Sequence, residues 1–226
     1  MSELPGATGP LALVGGDEWK PGCEFDAELL ERSGRSEVLV LPTAAAYEHP
    51  ERAVEAARSW FAPFGGTVRA LMVLSHADAC LEENAAAVRE AGFVYLSDGS
   101  PLHLRSVLKG SAVFEALTAA WHGGTVLAGS SAGATVLCDP MVDPRGGAYT
   151  VGLGLVGQLA VVPRQRGAAV AWRTLELAPP GVPLVAIDER TALIREPDGN
   201  WIKRGAGDVT VYLDGKKGSL EALATR

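Results

Sequence analysis

Several features are scarce in this chain of 226 residues, and each scarcity excludes a class of protein. There are three cysteines without CxxC spacing, Cys23, Cys80 and Cys138, which excludes a disulfide framework and a cysteine-rich zinc site. No run approaches the roughly 18 apolar residues of a membrane span, and Glu3 stands where a signal peptide has basic residues. We therefore expect a soluble, cytoplasmic protein, and in the absence of metal-ligand spacing or a phosphate loop we expect no cofactor.

Positive charge is also in short supply. The chain has 20 Lys and Arg against 27 Asp and Glu, a formal net charge of −7, and no Lys/Arg cluster. Nucleic acids and anionic membranes are bound through a basic face, so neither is an expected partner. A small peptide, an acidic small molecule or another protein fits better, and a homodimer is expected only because dimers are common.

What is present is a pattern of short Val- and Leu-rich runs between longer amphipathic stretches, typical of a parallel sheet covered by helices on both faces. The predicted strands are 11–14, 38–41, 68–74, 93–96 and 125–128, and the predicted helices are 49–61, 77–91 and 111–121. After about residue 150, runs at 184–187, 192–194, 201–203 and 209–213 predict hairpins that close the sheet, with turns at Asp198-Gly199 and Asp214-Gly215. We expect one three-layer, flavodoxin-like α/β domain over 1–226, with a frayed arm at 1–9.

The motif that carries chemistry is Gly129-Ser130-Ser131-Ala132-Gly133, between an apolar strand and an Ala-rich helix. This is the context of a G-x-S-x-G nucleophile elbow, in which small neighbours allow a strained serine to project from the sheet. Backbone N–H groups at such a turn, Ala132 among them, stabilise a developing oxyanion. The alternative is a Ser/Gly helix start that only caps the helix or binds an anion.

A second glycine-rich turn, Gly15-Gly16, follows the first strand. Its backbone N–H groups are candidates for the other half of an oxyanion hole, and a simple tight turn explains the same residues equally well. It is not a dinucleotide-binding turn, because no G-x-G-x-x-G sequence follows the strand.

Further stretches accompany these two motifs in a fixed order. They are LALVGGDEW at 11–19, GSSAGATVL at 129–137, GLGLV at 152–156, and IDERTALI at 187–194 with GAGDVTVYLDG at 205–215. As a set they resemble the cyanophycinase and dipeptidase E family of serine peptidases, a branch of the class I glutamine amidotransferase-like fold. The resemblance implies hydrolysis of aspartyl peptides: Asp-X dipeptides in dipeptidase E and β-linked Asp-Arg in cyanophycinase. It also implies a serine nucleophile, matched by Ser131, a downstream histidine base, and an acidic residue that orients the base, matched by Glu189.

The base is where the resemblance fails, because Arg164 occupies the position of the family's histidine. An arginine, with a pKa above about 12, cannot accept a proton from serine at neutral pH. All four histidines precede Ser131 in the chain: His49, His76, His103 and His122. In addition, the family's Gly-Gly-Asp-Gln substrate turn reads Asp98-Gly99-Ser100-Pro101, so that Ser100 stands at the Asp position.

Replacements for these groups are open to test. His76 and His103, which follow the third and fourth predicted strands, are candidate substitute bases, or else ordinary surface and helix residues. Arg164 and Arg166 would attract a carboxylate if they lie near Ser131, or form a solvated loop. Glu189 either orients a base or turns the chain.

Three functions are compatible with these residues: a serine hydrolase with impaired or altered activity, a non-catalytic relative that binds an acidic small molecule or peptide end, and a structural partner protein.

Overall fold

The structure is a computed structural model that describes residues 8–164 and 167–223. The strands are β1 (Leu11–Val14), β2 (Glu37–Leu41), β3 (Thr67–Ala70), β4 (Phe93–Leu96), β5 (Val126–Ser130), β6 (Cys138–Asp139), β7 (Met141–Val142), β8 (Tyr149–Thr150), β9 (Val156–Gly157), β10 (Ala160–Arg164), β11 (Leu184–Asp188), β12 (Thr191–Arg195), β13 (Trp201–Gly205), β14 (Val209–Leu213) and β15 (Lys216–Gly218). The helices are α1 (Phe25–Arg32), α2 (Pro50–Phe61), α3 (His76–Ala79), α4 (Glu82–Glu90), α5 (Pro101–Leu108), α6 (Ala112–His122), α7 (Ala132–Leu137) and α8 (Trp172–Glu176).

The central sheet has seven strands in the order β13-β12-β1-β5-β4-β2-β3. The first five strands of the chain are parallel, and β12 and β13 extend the sheet in antiparallel fashion beyond β1. Alternate residues of β1 enter the two cores: Leu11 and Leu13 pack with α4 to α7, whereas Ala12 and Val14 pack with α1 and α2. The predicted mostly parallel α/β sheet with helices on both faces is therefore confirmed.

The C-terminal region divides between two sheets. The Asp198-Gly199 turn joins β12 to β13 in the central sheet, as predicted. The predicted closure of that sheet is wrong for β11 and β14, which form a second, four-stranded sheet in the order β10-β11-β14-β15. Every residue of β11 is buried, because one face packs on the central core and the other on a small cluster around Tyr212. A strand whose first four residues are all apolar carries no sign of which sheet it joins.

Two other boundaries differ from expectation. The predicted strand 68–74 ends at Ala70, because after Leu71 the Val73 N–H donates back to Leu71 O at 2.9 Å and the chain turns away from β2. The predicted helix 77–91 is two helices, α3 and α4, separated at Leu81, whose backbone is extended. The apolar spacing continues across this break, so periodicity alone predicts one helix.

Residues 1–7 of the predicted frayed arm lie outside the described ranges. Gly9 is not part of such an arm, since it is buried and its N–H donates to Trp121 O at 2.7 Å. Among the described helices, none has the length and apolar character needed to cross a membrane. Within 8–164 and 167–223, no group of three His, Cys, Asp or Glu side chains is arranged to hold a metal ion.

Candidate functional site

The turn from β5 into α7 has the strained geometry expected of an elbow. Ser131 has φ 45° and ψ −96°, a conformation that residues other than glycine rarely adopt. Its N–H donates to Val14 O at 2.8 Å, and its carbonyl accepts from Thr135 N at 2.9 Å. The Ser131 hydroxyl makes no hydrogen bond with any described residue, so it is free to meet a ligand.

Two glycines make this turn possible by close packing. A Cβ on Gly129 would lie 2.7 Å from the carbonyl carbon of Gly133, and a Cβ on Gly133 would lie 2.8 Å from Leu96 O. Real Cβ atoms do not approach backbone this closely, so both positions require glycine for α7 to lie against β5 and β4. Close packing of backbone against backbone thus explains why the motif has glycine at both positions.

Ser131 opens into a cavity of about 480 Å³. Its elbow wall is formed by Gly99, Pro101, Ser131, Ala132 and Thr135, and its β10 wall by Val161, Val162, Pro163 and Arg164. Residues from the stretches 142–147 and 169–174 complete the lining, which is mostly apolar. The cavity size suits a small peptide or metabolite.

Arg164 lines the same cavity as Ser131, but its charge is already paired. Its Nε donates to Asp188 Oδ1 at 2.5 Å, Nη1 donates to Ala168 O at 2.9 Å, and Nη2 donates to Thr210 Oγ1 at 3.2 Å. Parallel pairing of β10 with β11 places Arg164 directly beside Asp188, and their side chains are only 12% and 3% exposed. A guanidinium has five N–H groups, so two of them have no partner in the described part of the chain.

Glu189 is not the acid that contacts Arg164. Its backbone N–H donates to Arg164 O at 2.9 Å, but its side chain neither lines the cavity nor bonds to a described residue. Asp143, the one carboxylate lining the cavity, is paired with Arg145, which lowers the pKa of Asp143 to about 2. A carboxylate this acidic is a weak base. Arg166 lies outside the described residues.

No histidine lines the cavity, although all four lie within 8–164. The His76 ring bonds through Nδ1 to Val107 O at 2.8 Å and lies 3.5 Å from Cys80 Sγ. The His103 ring bonds through Nε2 to Leu74 O at 3.0 Å. Both candidate bases are therefore held by other contacts and are not brought together with Ser131 in this conformation.

The Gly15-Gly16 turn lies against both the elbow and the second sheet. A Cβ on Gly15 would lie 2.2 Å from Asp188 O, and the Gly15 N–H already donates to Thr191 O at 2.9 Å. Gly16 has φ +107°, and a Cβ there would lie 3.8 Å from Ser131 Oγ. The Gly15 N–H is therefore already bonded, whereas Gly16 lies beside the serine.

The turn after β4 supplies a contact that sequence reasoning missed. Asp98 Oδ1 accepts from Gly99 N at 2.6 Å and from Ala132 N at 3.3 Å, while Ser100 Oγ accepts from His103 N and caps α5. The Ala132 N–H, predicted to serve an oxyanion, is thus bonded to a carboxylate. The sequence signal for this contact is that Asp98 stands where the family's substrate turn begins with glycine.

Glu18 supports both sides of the elbow. Its Oε1 accepts from Asp98 N at 2.9 Å, and its Oε2 accepts from Ser130 Oγ at 2.8 Å. Burial, opposed in part by these hydrogen bonds, raises the pKa of Glu18 above its usual value. Glu18 lies in the family-like stretch 11–19, but nothing in the sequence indicates that it bonds to the elbow.

Known proteins share this architecture. The model of peptidase family S51 matches residues 12–199. Cyanophycinases from Synechococcus elongatus and Thermosynechococcus vestitus are each 27% identical over 220 residues, covering 91% of this chain and 68% of theirs. The structure of a peptidase from an acI-B1 Actinobacterium superposes with a TM-score of 0.84 at 26% identity, covering 96% of both chains. A putative peptidase E from Listeria monocytogenes, at 18% identity and TM-score 0.63, covers 92% of this chain and 99% of its own and shares the fold. The chain therefore belongs to peptidase family S51, and its fold is that of a serine-peptidase-like hydrolase.

Proposed function

We propose that this protein binds the carboxylate end of a small peptide or acidic metabolite in the Ser131 cavity and hydrolyses it slowly or not at all. The observation that carries the proposal is the Arg164–Asp188 pair on the β10 wall, at the position where the family resemblance expects the base. The pair keeps a guanidinium with two further N–H donors on the cavity wall, its charge balanced by Asp188, and provides no proton acceptor for the serine.

Recognition of a carboxylate is supported by the remaining donors of Arg164. Two of its five N–H groups have no partner among described residues, and guanidinium N–H groups bind carboxylates through short, charge-assisted bonds. The apolar lining around it, from Val161, Val162 and Val170, suits the uncharged part of a ligand.

Slow turnover is supported by the missing proton acceptor. Attack of Ser131 Oγ on a peptide carbonyl forms a C–O bond and requires the hydroxyl proton to leave. General-base assistance is worth about 10²- to 10⁴-fold in rate, and neither Arg164 nor the acidified Asp143 can supply it efficiently. The expected turnover is lower by at least this factor than that of an enzyme with a complete triad.

A second candidate, a serine hydrolase that uses another base, is favoured by the Ser131 backbone. A residue in such a conformation costs on the order of 1–3 kcal/mol, and strain of this kind is concentrated at functional sites. In this function Ser131 remains a nucleophile and its activation comes from a group that approaches when substrate binds.

Binding and turnover are measured in parallel to separate the two. We expect β-aspartyl-arginine to raise the melting temperature of wild type and of Ser131→Ala equally, with no hydrolysis detected by mass spectrometry. Arg164→Lys keeps a charge beside Asp188 but loses the guanidinium fork. Loss of one charge-assisted hydrogen bond, worth about 1.5–3 kcal/mol, lowers the affinity for the dipeptide by about 10-fold or more. Absence of any dipeptide-induced shift in folded wild type contradicts the binding proposal.

A fluorophosphonate probe decides on the second candidate. In the labelling reaction Ser131 Oγ bonds to phosphorus, fluoride leaves, and the serine proton is released. We expect no adduct in the intact mass of wild type under conditions that label a serine hydrolase fully. An adduct on wild type that Ser131→Ala lacks would establish an activated serine and replace the binding proposal with the hydrolase.

A further inference from the structure

Two backbone N–H groups from separate turns converge on one point beside Ser131. The Gly99 N–H belongs to the turn after β4, and the Ala132 N–H directly follows Ser131. Both donate to the same atom, Asp98 Oδ1, at 2.6 Å and 3.3 Å. The pair therefore forms a two-donor anion pocket, and a carboxylate of the chain itself fills it.

The backbone on both sides of this pocket is fixed. A Cβ on Gly99 would lie 2.3 Å from Ala44 O, and Gly99 has φ +142°, so the turn is closely packed there. The Asp98 N–H donates to Glu18, which also accepts from the Ser130 hydroxyl. Glu18 thus ties the Asp98 backbone to the elbow.

The Asp98 carboxylate that fills the pocket carries negative charge, as does the oxyanion or carboxylate that the pocket would otherwise bind. At a serine elbow, the N–H that follows the nucleophile binds the oxyanion formed when a carbonyl is attacked. A carboxylate oxygen makes the same charge-assisted bonds as that oxyanion. A tetrahedral adduct or an anionic ligand group must therefore displace Asp98 before it can use either donor.

We propose that Asp98 is a specificity-determining residue whose carboxylate keeps the charged oxygen of a ligand or adduct out of the Gly99–Ala132 anion pocket. The inference rests on the proposed function only in taking the Ser131 cavity as the ligand site. It adds a second reason for slow turnover, since losing one oxyanion donor alone lowers kcat about 10²- to 10³-fold in a serine peptidase.

The test uses formate as the probe and the backbone amide signals of Gly99 and Ala132 as the readout in two-dimensional NMR of the full chain. In Asp98→Ala the pocket is vacated, so formate shifts both amide signals in a saturable titration. In wild type and in Asp98→Asn, whose amide oxygen still accepts from both donors, formate leaves them unshifted. Asp98→Ser serves the same purpose if Asp98→Ala does not fold.

Two outcomes overturn the proposal: both signals unmoved in the folded Asp98→Ala or Asp98→Ser protein, or equal shifts in wild type. Failure of the proposed function has a different signature. In that case the dipeptide produces no thermal shift in wild type, whereas formate still titrates the two amides of the Asp98 variant.

Discussion

The elbow wall of the cavity depends on close glycine packing, whereas the β10 wall carries a buried ion pair in addition to its strand pairing. Gly129 and Gly133 bring helix and strand together without side chains, and the strain at Ser131 follows from the path of the chain. On the β10 wall, the shape depends on Arg164, Asp188 and Thr210. Substitution of Arg164 or Asp188 is therefore expected to change the second wall while the first survives.

The largest effect is expected where the β10 wall loses one charge. Asp188→Ala leaves the Arg164 guanidinium, 12% exposed, without its carboxylate, and removes the acceptor of the Asp208 N–H. Loss of one partner of a buried pair costs about 3–5 kcal/mol in free energy of unfolding. Equilibrium unfolding of wild type and Asp188→Ala in denaturant measures this difference in free energy.

The matched control is Asp208→Ala, because the Asp208 side chain is 80% exposed and its ion pair with Lys203 lies at the surface. Its expected effect is below about 1 kcal/mol. Equal effects of Asp188→Ala and Asp208→Ala would contradict the conclusion that the buried Arg164–Asp188 pair stabilises the β10 wall.

The next effect is expected on the elbow wall. Gly129→Ala places a Cβ 2.7 Å from the Gly133 backbone, and the helix must shift to accept it. Overpacking of this kind destabilises by about 1–3 kcal/mol. The control is Gly157→Ala in β9, where a Cβ meets nothing within 4 Å, and its unfolding free energy changes by less than about 0.5 kcal/mol. If Gly129→Ala is as stable as this control, backbone packing does not hold the elbow.

The smallest effect concerns the pH dependence of the elbow support. Because burial raises the pKa of Glu18 from 4.5, the unfolded chain releases this proton first as pH rises. The stability of wild type relative to Glu18→Gln therefore falls above pH 4.5 until the folded pKa is passed, by at most about 1.4 kcal/mol per pH unit.

Unfolding of both proteins at several pH values checks this. Exposed Glu24 is the control of opposite sign, since its carboxylate accepts from Gly22 N and its pKa is lowered. Wild type therefore gains stability relative to Glu24→Gln as the pH rises towards 4.5, and loses stability relative to Glu18→Gln as the pH rises beyond 4.5. A flat Glu18 comparison would show that its carboxylate is not desolvated by the elbow.

Sequence patterns predict those elements of the fold that depend on hydrophobic periodicity and on turn-forming residues. Strands β1 and β4 have their predicted bounds, and the Asp198-Gly199 hairpin forms where the dipeptide indicates. The second sheet was not predictable, because β11 is apolar at every position but its last and only its partners distinguish the two sheets.

The candidate site was predicted in the same uneven way. Ser131 and its glycines are contiguous, so the motif is visible in the sequence. Asp188 and Asp98 act through partners 24 and 34 residues away, and no local pattern pairs them with Arg164 and Ala132. The family resemblance assigns Glu189 the role of orienting a base, and this stays a prediction. The carboxylate that lies against Arg164 is that of Asp188, one residue earlier.

The position of β1 has a consequence for the order in which the protein is made. β1 pairs with β5 on one side and with β12 on the other, so its second edge stays open until residues 191–195 have been synthesised. At about 5–20 residues per second, the ribosome needs roughly 3–13 s to extend the chain from the end of β5 to the end of β12. During that interval the nascent chain presents an apolar strand edge, Leu11–Val14, to any passing chaperone or aggregating chain.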